Sequence, residues 1–157
     1  MPEERMKEGL QHARQALEAG AFLLGESLLP LGYQYQGISE EHDEALGDHL
    51  EALFSARKIS RNIRVTYVPD GNGHPDVLLV HIERDGYSTF EVEECLRWQG
   101  ATEQTISKVL FKTYTGNLRK RVVQTIEAIR VVFNNQLREV VSGKEWFDVP
   151  IDWGGYK

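Results

Sequence analysis

A chain of 157 residues, 41% hydrophobic and 27% charged, is long enough to bury one core without metal or disulfide staples and too evenly mixed to be disordered or fibrous. No apolar run reaches membrane-spanning length, and the charged opening from Met1 to Gly9 lacks the apolar stretch of a signal peptide, so a cytoplasmic protein with no membrane attachment is expected. A lone cysteine, Cys95, excludes an intramolecular disulfide and a thiolate-rich zinc site.

The net charge of −6 is unevenly placed, with three Lys or Arg against eleven Asp or Glu in residues 1–53 and nine against five in residues 105–157. The front is therefore at −8 and the back at +4, which disfavours a general nucleic-acid binder and favours an acidic surface that meets a basic protein.

In chain order, Met6, Leu10, Ala13, Leu17, Ala21, Leu24 and Leu28 fall three and four apart and predict a helix that stops before Pro30, with a break near Gly20 as its weak point. Tyr33 and Tyr35 alternate with Gln34 and Gln36, predicting a strand near 32–38. Ser39 followed by Glu40 and Glu41 reads as a helix start, and Leu46, Leu50, Leu53 and Phe54 continue it to about Lys58. A competing reading makes Ala52 to Ile59 a strand. Ile63, Val65 and Tyr67 place a strand near 62–69, and the continuous apolar run from Val77 to Ile82 places another near 77–84, covered on both faces. Ser88 with Glu91 matches a capping box for a helix through Phe90, Leu96 and Trp98, and Thr102 opens a further one carrying Ile106, Val109, Leu110 and Tyr114. The longest element is expected near 117–142, where Leu118, Val122, Ile126, Ile129, Phe133, Leu137 and Val140 form a stripe that Gly143 ends. The first helix's stripe is its natural partner. The fold class is α+β: a small antiparallel sheet covered by several helices, in one domain spanning 1–157 with an aromatic-rich tail over 144–157.

Chemistry-bearing patterns are sparse. The loop from Pro69 to Asp76 begins like a calcium-binding loop but has Pro75 where glycine is required and His81 where a glutamate belongs. Asp76 and Glu83 lie at opposite ends of one strand, about 23 Å apart, too far for one magnesium ion. His42, Asp43, Asp48 and His49 place two histidines seven apart, not the four that suits a helical zinc pair. Cys95 reads as a small buried hydrophobe. Lys108, Lys112, Arg119, Lys120 and Arg121 scatter over several helical faces and read as solubilising or pairing charge rather than a phosphate patch.

Two features remain. Glu40, Glu41, Asp43, Glu44, Asp48 and Glu51 form an acidic cluster suited to steering a basic partner, and Trp146, Trp153 and Tyr156 give the tail interface-type anchors. With no catalytic constellation, cofactor motif or metal ligand set, the expected function is a non-enzymatic acidic protein-binding module, of the class of an immunity protein or antitoxin neutralising a basic toxin. The second reading is an enzyme or ligand-binding domain whose site, with His81, Glu83 and Asp85 as contributors, assembles only in three dimensions. The third is a homodimer or larger oligomer built through the long helices.

Overall fold

Alternation at period two and stripes at period 3.6 resolve into five strands and five helices in the computed structural model, which describes residues 2–71, 73–84 and 89–146, with side chains from Leu10 onward. The helix α1, Pro2–Leu28, is followed by β1 (Gln34–Asp43), β2 (Gly47–Ala56), β3 (Arg61–Val68), β4 (Val77–Arg84) and β5 (Thr89–Glu91), and then by α2 (Val92–Trp98), α3 (Glu103–Lys108), α4 (Leu118–Asn134) and α5 (Arg138–Val141). The strands form one antiparallel meander in the order β1-β2-β3-β4-β5. The α+β architecture is thus the expected one.

Register explains which face is covered. Leu50 lies opposite Tyr67, Ala52 opposite Val65 and Phe54 opposite Ile63, and β3 continues the rows with Ile63 opposite Ile82 and Val65 opposite Val80. All of these side chains are buried, and they form the floor on which the helices pack. α1 lies over β1, β2 and β3 and runs alongside α4. Leu17, Leu24 and Leu28 from α1 and Val122, Ile126, Ile129 and Phe133 from α4 are all at most 2% exposed, so the two stripes are consumed against each other and the sheet. α1 runs unbroken through Gly20, and the reason is proximity: a Cβ there would stand 2.7 Å from Val122 Cγ1. Arg130 on α4 adds a hydrogen bond to Ser27 Oγ (2.8 Å) across the same helix pair.

Three expectations need correction. The segment from Ser39 to Lys58 is no helix: it is the second half of β1, a turn and β2, so the strand reading of Ala52 onward holds through Ala56. The helix-like spacing arose because Ala52 and Ala56, inward on β2, are small; their size lets α1 sit close, with Gly25 facing Phe54, and tertiary packing overrode local preference. The long helix is two pieces, broken at Asn135, whose side chain bonds back to Val131 O at 2.7 Å; the stripe survives the break, since Leu137 and Val140 are buried. Helix α2 begins one turn late, because Phe90 is spent in β5 opposite Ile82 and the capping box is formed by Glu91 and Glu94; Ser88 lies outside the described residues. Thr102 caps α3 as expected, but two further expectations fail: α3 ends at Lys108, leaving Val109, Leu110 and Tyr114 beyond it, and β4 is fully covered on one face alone, with Val77, Leu79 and His81 only half-buried on the other.

Gly143 ends α5 in the left-handed region (φ 86°), where a Cβ would strike Ile59 Cβ at 2.5 Å. At Gly20, replacement by leucine gains helix propensity but must displace a β-branched neighbour. Gly20→Leu is expected to lower stability by about 1–3 kcal/mol in urea denaturation; a variant as stable as the parent would contradict the close approach of α1 to α4.

Candidate functional site

Strands β1 and β2 with their turn form a hairpin, residues 34–56, that carries six acids and no Lys or Arg. β1 is an edge strand, and a register shift between Tyr35 and Ile38, where Gly37 takes φ 92°, bends it. Glu40, Glu41, Asp43, Glu44 and Asp48 are all exposed. They are not equally free. Glu40 turns toward α1 and pairs with Arg14 at 3.7 Å; Asp48 holds His42 Nδ1 at 2.7 Å; Asp43 accepts the amide of Leu46 in the turn. Among the described residues Glu41 meets only its neighbour Ser39 (2.9 Å), and Glu44 sits in the turn beside Leu46, itself 40% exposed. The freest negative charge is thus at the hairpin tip. The two histidines of this cluster sit on different strands, His42 opposite Asp48 and His49 opposite Glu41, so the helical spacing considered for a metal pair does not arise.

Away from Glu40 and the helices, and on the same face as Glu41, stands Glu51, since Ser39 pairs with Glu51 and Glu41 with His49. It lies with Arg64 and Glu83 on the sheet face opposite the helices, where Arg64 donates to Glu51 Oε1 (2.7 Å) and Glu83 Oε2 (3.3 Å). Asn62 (2.9 Å) and Thr89 (3.0 Å) also donate to Glu83, and buried His49 stands 3.8 Å from Glu51. Registry builds this network, since Asn62 is opposite Glu83 and Arg64 opposite His81 on β3 and β4. His81 lies 3.9 Å from Glu91. His81 and Glu83 therefore share a face but not a reactive arrangement, because Glu83 is committed to three donors; Asp85 lies outside the described residues.

The remaining candidates are dispersed. Asp76 is clamped by Arg121 in a two-bond fork (2.9 and 3.0 Å) and accepts from the Tyr67 hydroxyl at 2.9 Å, while Arg121 stacks 4.1 Å above the Phe111 ring. The basic segment thus loses Arg121 to a structural pair. Cys95 is fully buried, and burial first, then Glu94, pushes its thiol far up, so no thiolate faces solvent. Among the described residues no three metal-binding side chains converge, and no helix is long and apolar enough to cross a membrane. Trp146 packs back onto Phe90 with ring centroids 5.7 Å apart and over Arg61 at 4.8 Å; Trp153 and Tyr156 lie outside the described residues.

Sequence inspection missed a second charged locus. Lys58, Arg61, Arg84 and Lys144 line one recess of about 400 Å³ at the far end of the sheet, although they come from three separated stretches. Their only signal is the pairing of Arg61 with Arg84, visible once β3 and β4 are in register. The chain matches no family model, no curated protein and no solved structure.

Burial pushes the Glu83 carboxyl up, but hydrogen bonds from Asn62, Arg64 and Thr89 and the Arg64 charge outweigh it and hold the group below its ordinary 4.5. For Asp76, burial is likewise outweighed by Arg121 and Tyr67, which hold it below 3.8. A carboxylate depressed in the folded state stabilises the fold above its unfolded pKa and loses that contribution as pH falls through the folded value. Stability in urea is therefore expected to decline as pH drops below 4.5 and on past 3.8. Glu83→Gln should start lower at neutral pH and lose less between about pH 5 and about pH 3, roughly the span of these titrations; an unchanged slope would remove Glu83 from the network.

Proposed function

We propose that this chain is a non-enzymatic protein-binding module whose acidic β1–β2 hairpin docks on a basic protein. An immunity protein or antitoxin neutralising a basic toxin is the class this chemistry suits. The observation that carries the reading is the charge of that hairpin: six acids, no Lys or Arg, on an exposed edge.

Charges on an edge strand also block unwanted strand pairing, but lysine is what edges most often use for that purpose, and this hairpin has none. A single-sign patch is suited to raising the encounter rate with an opposite charge and to turning away acidic competitors. Tyr35 (47% exposed) and Leu46 (40%) supply apolar contact beside the acids. Glu41, Asp43 and Glu44 are the steering residues, with Glu40 and Asp48 supporting them. Glu51, 18% exposed and held by Arg64, is the least available of the six. Trp153 and Tyr156 enter the proposal as anchors, while Trp146 holds the start of the tail against the core.

Burial of the α1 and α4 stripes within one chain weighs against the oligomer reading, to which the exposed Phe22 on α1 and Val131 on α4 are the apolar groups left. The enzyme reading loses Glu83 to structural hydrogen bonds.

Affinity capture from the native cell with the parent chain and with a Glu41→Lys, Asp43→Lys, Glu44→Lys variant as baits tests the reading. The parent is expected to retain a basic protein that the variant loses, and the purified pair should associate about ten-fold or more slowly with the variant at low salt. Equal association rates, or capture of the same protein by both baits, would overturn it.

A further inference from the structure

We propose that the open edge of β4 over residues 77–80 is a docking site for an extended segment of a basic protein, in which apolar residues alternate with Lys or Arg. The partner's charge rests on the hairpin reading, whereas the place, on the side of the sheet away from β1, does not.

The main chain is the first ground. β4 pairs with β3 along its whole length, Val77–Arg84, but with β5 only over His81, Ile82 and Glu83. β5 stops at Glu91, which caps α2. Among the described residues no strand lies beside 77–80 on the side away from β3, so alternate amides and carbonyls there have no ladder partner. The open stretch reads Val77, Leu78, Leu79, Val80, with none of the lysines, prolines or bulges that usually guard such an edge. Its shortness limits pairing between copies and leaves room for one extended segment.

Two recesses that flank this edge are the second ground, and Pro75, Val77 and Leu79 line both. On the helix side, a cavity of about 270 Å³ is walled by Leu78, Val80, Val92, Val109, Phe111 and Ile129, all buried. On the other side, one of about 500 Å³ lies over Val68, between Glu44 and Leu46 of the β1–β2 turn and the loop from Pro69 to Pro75. Successive side chains of a strand point to opposite faces, so an added strand sets one row in each recess. The rows meet different chemistry. In the helix-side recess Asp76 is held by Arg121, Glu91 caps α2 and Glu93 pairs with Arg97, which leaves an apolar wall with exposed Lys112 beside it. Among the described residues that line the other recess, Glu44 is the one charged group apart from His74, and residues 65–83 hold three acids and no Lys or Arg. A Lys or Arg of the added strand lays its stem along Val77 and Leu79 there and carries its charge toward Glu44.

Titration of the full chain with the peptide acetyl-Lys-Val-Lys-Val-Lys-Val-Lys-amide, followed by backbone-amide NMR and hydrogen exchange, tests the proposal. The expected result is saturable binding in which alternate amides of 77–80 exchange fast in the free chain and slowly in the complex. Leu79→Lys leaves the hairpin acids intact and should weaken binding by about ten-fold or more, read on protein whose thermal melt shows it folded. Leu79→Val keeps the recess apolar and should stay within about three-fold. Only one alternate set of peptide amides can face β4, so methylating the valine amides or the lysine amides should abolish binding in one case and spare it in the other. A peptide with Glu in place of Lys should not saturate. Slow exchange of all four amides in the free monomer would overturn the assignment by showing the edge covered from within the chain, and dimerisation that Leu79→Lys abolishes would overturn it in favour of a second copy. Equal effects of the two methylated peptides, equal binding of the acidic peptide or indifference to Leu79→Lys would also overturn it. Peptide binding at β4 together with capture of the same protein by both hairpin baits would sink the hairpin reading alone; no peptide binding, with capture lost in the hairpin variant, would sink this site alone.

Discussion

The last turn of α5 ends with carbonyls that no further helical residue can satisfy; the Gly143 amide donates to Val140 O at 3.2 Å, and two distant side chains complete the set. Arg61 Nε donates to Val140 O at 3.1 Å and the Tyr33 hydroxyl donates to Val141 O at 2.6 Å. Arg61 also holds the carbonyls of Ile59 (3.1 Å) and Glu145 (2.8 Å), so one buried guanidinium ties the turn before β3, the end of the last helix and the chain leading to Trp146. Hydrogen bonds from a charged donor contribute about 1.5–3 kcal/mol each, and a buried carbonyl left alone costs a similar amount. The start of β1, the start of β3 and the close of the helical layer are all fixed at this point. Burial, more than any neighbour, makes the Tyr33 hydroxyl reluctant to ionise, which keeps it a donor there.

Long stripes were legible in the sequence because they repeat. Seven apolar residues from Leu118 to Val140 mark a buried face whether or not the helix is continuous, which is why the stripe is right and the single helix is not. The β1–β2 hairpin was illegible for the opposite reason. Its inward positions on β2 include Ala52 and Ala56, which carry little hydrophobic signal, while His49 on the outward face is 4% exposed and blurs the alternation. Position in three dimensions also reassigned charge. Asp76 and Arg121, which stood in separate patterns along the chain, clamp each other, and Glu51 left the acidic cluster for Arg64. The recess at Lys58 and Lys144 has no local pattern, since its cations meet only through strand register and the return of the chain at Gly143.

Charge is segregated along the sheet. Negative side chains collect at the β1–β2 turn, and positive ones at the other end of β2, roughly 30 Å away at about 3.3 Å per residue. Between them, on the face opposite the helices, Arg64 bridges Glu51 and Glu83, one cation between two acids. Arg61 is central to the fold, because it closes the helical layer from the end of the sheet where β2 meets β3.

The most direct test of that central role is equilibrium urea denaturation of Arg61→Met, which keeps the side-chain volume and removes the donors. The account predicts a loss of at least about 3 kcal/mol, because several carbonyls lose their partner together. A variant within about 1 kcal/mol of the parent would contradict it, and would show that the end of α5 is held by packing alone.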